Sequence, residues 1–217
     1  IKSSAASDVY KRQDMKDKEL AAKFAKEKIL PRLAPAFYPY TFFMVDQFYI
    51  SKASAWSSGY DPEVEQSAYA GYNASLVAYK HFYDMDEAAQ YAYSRSVIAI
   101  LMTKNYTQVK DSEYNDFYQY SQEQYGIYPD YEDTPLEVGF LETFRYDWVR
   151  SFYDKKYDLL AYVMEVFALT KEEFDEKYDK ELYPLVHQKK EALVKIFERL
   201  GVKAVSYTHL RAHETLM

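Results

Sequence analysis

Apolar positions along this chain recur mostly every three or four residues, which is the period of a half-buried helix. Residues 14–30 place Leu20 and Phe24 on one side, and Pro31 and Pro35 end the run. Pro39 suits the first turn of a further helix to about Lys52. In it, Phe42, Phe43, Met44, Val45, Phe48, Tyr49 and Ile50 leave almost no polar face. The same aromatic and β-branched content also suits a strand. No partner strand stands out elsewhere, so a helix is expected.

The densest pattern lies over residues 61–104. Ser67, Gly71, Ala74 and Ala78 recur at helical spacing, and Ala88, Ala92, Ser96 and Ala99 do nearly the same. A turn near Tyr83 would pair the two sets, Ala78 with Ala88 through Ser67 with Ala99, as a close-packed antiparallel helical hairpin. Asp61 and Pro62 suit the start of its first helix, and Asp84 with Glu87 forms a capping box for its second. Residues 72–97 resemble one tetratricopeptide-repeat hairpin, through the turn formed by Asp84, Asp86, Glu87 and Ala88 with Tyr91 following. They depart from that family in the bulky Tyr83 and in lacking a second copy at its period of about 34 residues.

Further along, Tyr114, Phe117, Tyr118, Ser121 and Tyr125 mark a helix over 112–125, which Gly126 stops. Thr134 and Glu137 form a capping box around Pro135, opening a helix that buries Phe140, Leu141, Phe144, Trp148 and Phe152. Its pattern breaks at residues 154–156 and resumes with Leu159, Leu160, Val163 and Phe167. Thr170 and Glu173 cap a last long helix carrying Phe174, Tyr178, Leu182, Leu185, Leu193, Ile196 and Leu200. Pro184 should kink it and Gly201 end it. The expected fold class is all-α, a single-domain helical bundle of about six to eight helices around the hairpin at 61–104.

The ends change the domain picture. Residues 3–13 and 205–215 resemble the in-frame translation of sequencing-adapter DNA, so residues 1–13 and 205–217 read as non-native tails. Residues 14–204 then form the single helical domain, and an open frame through both tails implies a fragment of a longer gene. About 190 residues are enough for one core.

Composition narrows the chemistry. The formal net charge of −7 argues against a nucleic-acid backbone as partner, which needs clustered Lys and Arg. No run reaches the roughly 18 apolar residues of a spanning helix. The chain has no cysteine and only five glycines, none in a phosphate-cradling motif. There is no Glu-x-x-His pair for a di-metal site, so neither metal nor cofactor is expected. His187 and Glu191, one turn apart, read as a surface pair, and His81 as a cation near a helix end.

Tyrosine is the unusual component, with 25 in all. The best candidate binding site is the acidic aromatic loop: Tyr125, Tyr128 and Tyr131 as a sticky face, with Asp130, Glu132 and Asp133 to steer a basic partner. No catalytic set stands out. The chain reads as a non-enzymatic helical interaction or scaffold domain with a protein partner. The competing reading is an enzyme or small-ligand binder with an aromatic pocket between helices, lined by Trp56 and Trp148.

If the tails are non-native, deleting residues 1–13 and 205–217 should leave the melting temperature within about 2–4 °C, the shift that ~1 kcal/mol produces in a domain of this size. A larger drop in a thermal melt would refute the trimming.

Overall fold

Start signals in the last third of the chain set the helices that carry the core. Asp154 caps α4 (Lys155–Ala168), its side chain accepting from the Tyr157 amide. Thr170 and Glu173 form the expected capping box on α5 (Lys171–Lys177). Pro184 starts a separate α6 (Pro184–Arg199) at its first turn, so the anticipated kink is a complete break. Gly201 follows it with φ of +80°.

The computed structural model describes residues 18–50, 64–71, 74–106, 109–128, 134–146 and 149–202. Among them are six α-helices and three small sheets. Helix is the majority, but the fold is mixed and the all-α expectation is wrong. Three further helices complete the set: α1 (Lys18–Phe24), α2 (Glu87–Asn105) and the short α3 (Asn115–Tyr118). The α2 cap is Asp86, which accepts from the Ala89 amide, two residues beyond the Asp84 anticipated. None of the described helices is long and apolar enough to cross a membrane.

The segment 42–50, expected as helix, is instead β1 (Phe42–Val45) and β2 (Phe48–Ile50). The first half of the expected hairpin is β3 (Val64–Gln66), β4 (Ala68–Ala70) and β5 (Ser75–Ala78). Strand β5 is central, parallel to β1 and antiparallel to β4, while β2 pairs with β3. The missing partner strand for β1 was therefore the small-residue stretch itself. Gly71 serves the β4–β5 turn: its amide donates to the Ala74 carbonyl, and a Cβ there would stand 2.6 Å from that oxygen. No helical seam forms, and the repeat-like hairpin goes with it, because only its second helix exists. The small residues still permit a close approach, now of a helix to a sheet, as Ala68 is buried and β4 packs on α2.

The capping box expected at Thr134 does not form. Residues 135–138 make one 3₁₀ turn without a side-chain cap, and Gly139 at φ of +83° turns the chain away. The chain then enters a hairpin, β6 (Thr143–Tyr146) with β7 (Val149–Phe152), rather than a long helix. Phe140 and Phe152 stack at 5.0 Å inside it, whereas Phe144 faces out. The 112–125 helix is a succession of 3₁₀ and α turns over 111–121 that still buries Tyr114, Phe117 and Tyr118. One core joins these parts, with α2 against α4 and Phe197 of α6 touching Phe37, Tyr114 and Phe167.

Strand parity makes a test. Ala68→Leu forces bulk between β4 and α2 and should cost about 1–3 kcal/mol in denaturant unfolding. Tyr69→Leu, on the opposite face, should stay within about 0.5 kcal/mol. The reverse order would contradict the strand.

Candidate functional site

The amphipathic stripes of α4 and α6 each contain one charged residue where an apolar one is expected. Asp158 precedes Tyr162 by one turn, and Lys189 lies between Val186 and Leu193. Both are fully buried, and Lys189 Nζ stands 2.6 Å from Asp158 Oδ2. Lys189 also donates to Ser121 Oγ at 3.1 Å, while Ser121 donates to the Val138 carbonyl. Tyr125 donates its hydroxyl to Asp158 Oδ2 at 2.8 Å, and Tyr162 donates to the Gly139 carbonyl at 2.9 Å. The rings of Phe117, Phe140 and Tyr162 lie 4.6–4.9 Å from Nζ. Gly139 is tied into this cluster, because a Cβ there would meet Ser121 Oγ at 3.0 Å and Lys189 Cδ at 3.1 Å.

Such enclosure favours uncharged forms. Burial lowers the Lys189 ammonium pKa, against the opposing pull of Asp158. Burial likewise raises the Asp158 carboxyl, against Lys189 and Tyr125. Asp158 Oδ1 has no hydrogen-bond partner among the described residues.

A second polar group borders an open groove of about 370 Å³ between α4, α5 and α6, floored by Val166, Leu169, Phe174 and Val194. His187, expected as a surface residue paired with Glu191, is buried instead. Its Nε2 lies 2.6 Å from the Tyr178 carbonyl and its Nδ1 3.6 Å from Asp175. Glu191 pairs with Lys180. Burial works to raise the Asp175 pKa, but Lys171 and Lys190 hold it below the usual carboxylate range. Beside the groove, the buried Arg95 guanidinium donates to both oxygens of Glu173, at 2.5 and 3.2 Å, and holds that carboxyl down at about 2. His81 pairs with Glu65 at 3.4 Å.

The sheet presents a third feature. Phe43, Leu76 and Tyr69 are register neighbours across β1, β5 and β4. Phe43 is 53% and Tyr69 48% exposed, whereas Val77 and Ala68 on the other face are buried. Tyr40, just before β1, is 93% exposed.

Of the loop residues expected to bind, Tyr125 turns inward to Asp158, while Tyr128 is 71% exposed. Asp130, Tyr131, Glu132 and Asp133 lie outside the described residues, as do Trp56, Asp61, Pro62 and Trp148. Among the described residues no cluster of His, Asp and Glu could hold a metal ion. Sequence reasoning missed Asp158 and Lys189, and their signal was a charge placed on an otherwise apolar helical stripe. Comparison with protein-family models, curated proteins and solved structures finds no match for this chain.

The Arg95–Glu173 pair carries a pH signature. A carboxyl held at about 2, against an ordinary 4.5, stabilises the fold fully above about 4.5 and loses that contribution as pH falls through about 2. Glu173→Gln should therefore lower the melting temperature by a constant amount from neutral pH down to about 4.5, and the gap should close toward pH 2. Melts across that range check it, and a gap that persists at pH 2 would assign the loss to the cap instead.

Proposed function

We propose that the chain is a non-enzymatic protein-interaction module whose contact surface is the outward face of the three-stranded sheet. The observation that carries this reading is the row Phe43, Leu76 and Tyr69. Large apolar side chains aligned on one open face are costly to leave in water, and aromatic residues are enriched at the centres of protein interfaces. The outer two strands stand about 10 Å apart, so the row offers a flat strip rather than a pocket. A flat aromatic strip suits another protein surface better than a small molecule, which needs a concave site.

The buried polar groups support the same reading from the other side. Lys189 and Asp158 are fully buried and committed to each other and to partners inside the fold rather than presented to a substrate. The acidic composition makes a nucleic acid an unsuitable occupant of the strip, because stacking platforms for single strands work together with basic grooves. The exposed Tyr128 extends the proposal to the loop at 125–133, where a tyrosine beside several carboxylates would meet a basic rim of the same kind of partner.

Phe43→Ser combined with Tyr69→Ser should cost no more than about 1–2 kcal/mol, since both side chains are half exposed and lose only cross-strand contacts. Affinity capture with the parent and this double mutant should show proteins that the parent retains and the mutant loses. Tyr128→Ser in the same assay reports on the loop. An unchanged set of captured proteins with a folded double mutant would remove the sheet face from consideration.

A further inference from the structure

The contact between Asp158 and Lys189 has the arrangement of reactants for a condensation, not only that of an ion pair. A primary amine and a carboxyl group touch at 2.6 Å, both are sealed from solvent, and aromatic rings surround the amine. In water such a pair ionises and amide formation is unfavourable. In a dry enclosure the charged forms lose their solvation, and the water that would hydrolyse the product is excluded. The side chains come from different helices, and the packing of α4 against α6 already holds them together, so the entropy of bringing them together is met by folding.

The hydrogen bonds assign a role to each atom. Oδ2 accepts from the Tyr125 hydroxyl and from Nζ, so it is the oxygen whose negative charge can be stabilised during attack on Cγ. Oδ1 has no partner among the described residues, so it can leave without breaking a hydrogen bond. Ser121 Oγ accepts from Nζ and stays in place to accept from an amide N–H.

The geometry points to an intramolecular isopeptide bond between Lys189 Nζ and Asp158 Cγ, a covalent tie between α4 and α6. The neutral amine adds to the carbon of the neutral carboxyl group, placing charge on Oδ2 beside the Tyr125 hydroxyl. A proton then passes from nitrogen to Oδ1, the bond from Cγ to Oδ1 breaks, and one water molecule leaves. No oxidant, reductant or activating group is consumed. In the product, the amide N–H donates to Ser121 and the amide oxygen accepts from Tyr125, while the atom expelled is the orphaned one. Burial moves both groups toward the neutral forms that the addition needs. This inference is independent of the sheet-face reading.

Intact-mass spectrometry of the full chain, denatured after purification and prolonged incubation at neutral pH, decides it. The expected mass is that of the sequence less one water molecule. A tryptic digest should yield a branched peptide joining the segment around Asp158 to that around Lys189. Lys189→Met and Asp158→Ala should each return to the full mass of their own sequences, a readout that does not depend on whether they fold. A parent chain at full sequence mass would overturn the proposal and leave a buried ion pair. So would a loss of water without the branched peptide, since that would place the dehydration elsewhere.

Discussion

Lys189 and Asp158 meet where α6 packs on α4 in the core, and the surrounding structure is arranged to make that contact tolerable. Taking a lysine and a carboxylate out of water costs several kcal/mol for each ion, and their mutual attraction offsets this only with good geometry and further hydrogen bonds. Tyr125 and Ser121 supply those bonds, and the faces of Phe117, Phe140 and Tyr162 enclose the amine. Several irregular features result from that enclosure. The 3₁₀ turn at 135–138 ends in a left-handed glycine, and a side chain there would also crowd Ser121 and the Lys189 stem. Its carbonyls at Val138 and Gly139 accept from Ser121 and Tyr162. Phe140 then lies on Phe152 of the β6–β7 hairpin, closing the cluster from above.

A division between inside and outside results. The strongest chemistry in the molecule is used internally, on the contact between α4 and α6 and on His187 between Tyr178 and Asp175. Among the described residues, the small sheet presents a strip of aromatic and aliphatic side chains on its outward face. Tyrosine serves both settings for one physical reason: a large apolar ring with a polar tip can be buried where the hydroxyl finds an acceptor, or left exposed where water solvates it. Tyr114 and Tyr162 are of the first kind, donating to Tyr106 and Gly139, and the partly buried Tyr125 donates to Asp158 in the same way. Tyr40, Tyr69 and Tyr128 are of the second.

The start of α5 was the most legible in the fold, whereas the α2 cap lies two residues beyond the one anticipated and the box at Thr134 does not form. Thr170 with Glu173 works as a capping box, and the faltering pattern at 154–156 marks the new start of α4 at Asp154. Caps are read over a few residues, and the hydrogen bonds they make are local, so no distant part of the chain has to cooperate. The box at Thr134 fails because Gly139 and the crowding around Lys189 turn the chain away before a second helical turn can form. The small-residue stretch at 67–78 has the spacing of a helix yet forms strands, for a related reason. Alanine, serine and glycine allow close packing in either a helix or a strand, and strands of three or four residues are too short to show alternation.

The sequence by itself determined that the C-terminal third is helical, the capping box that begins α5 and the stripes of Leu, Val and Phe that bury its helices. Those depend on residues within a few turns of one another. Only the tertiary structure decided that Phe42–Val45 is a strand, because its parallel partner Ser75–Ala78 lies some thirty residues on. It alone decided which way Tyr125 points, and that Asp158 and Lys189, separated by 31 residues, share one dry enclosure. Strand pairing and buried polar contacts are long-range, and their partners are set by how elements pack rather than by what neighbours them in the chain.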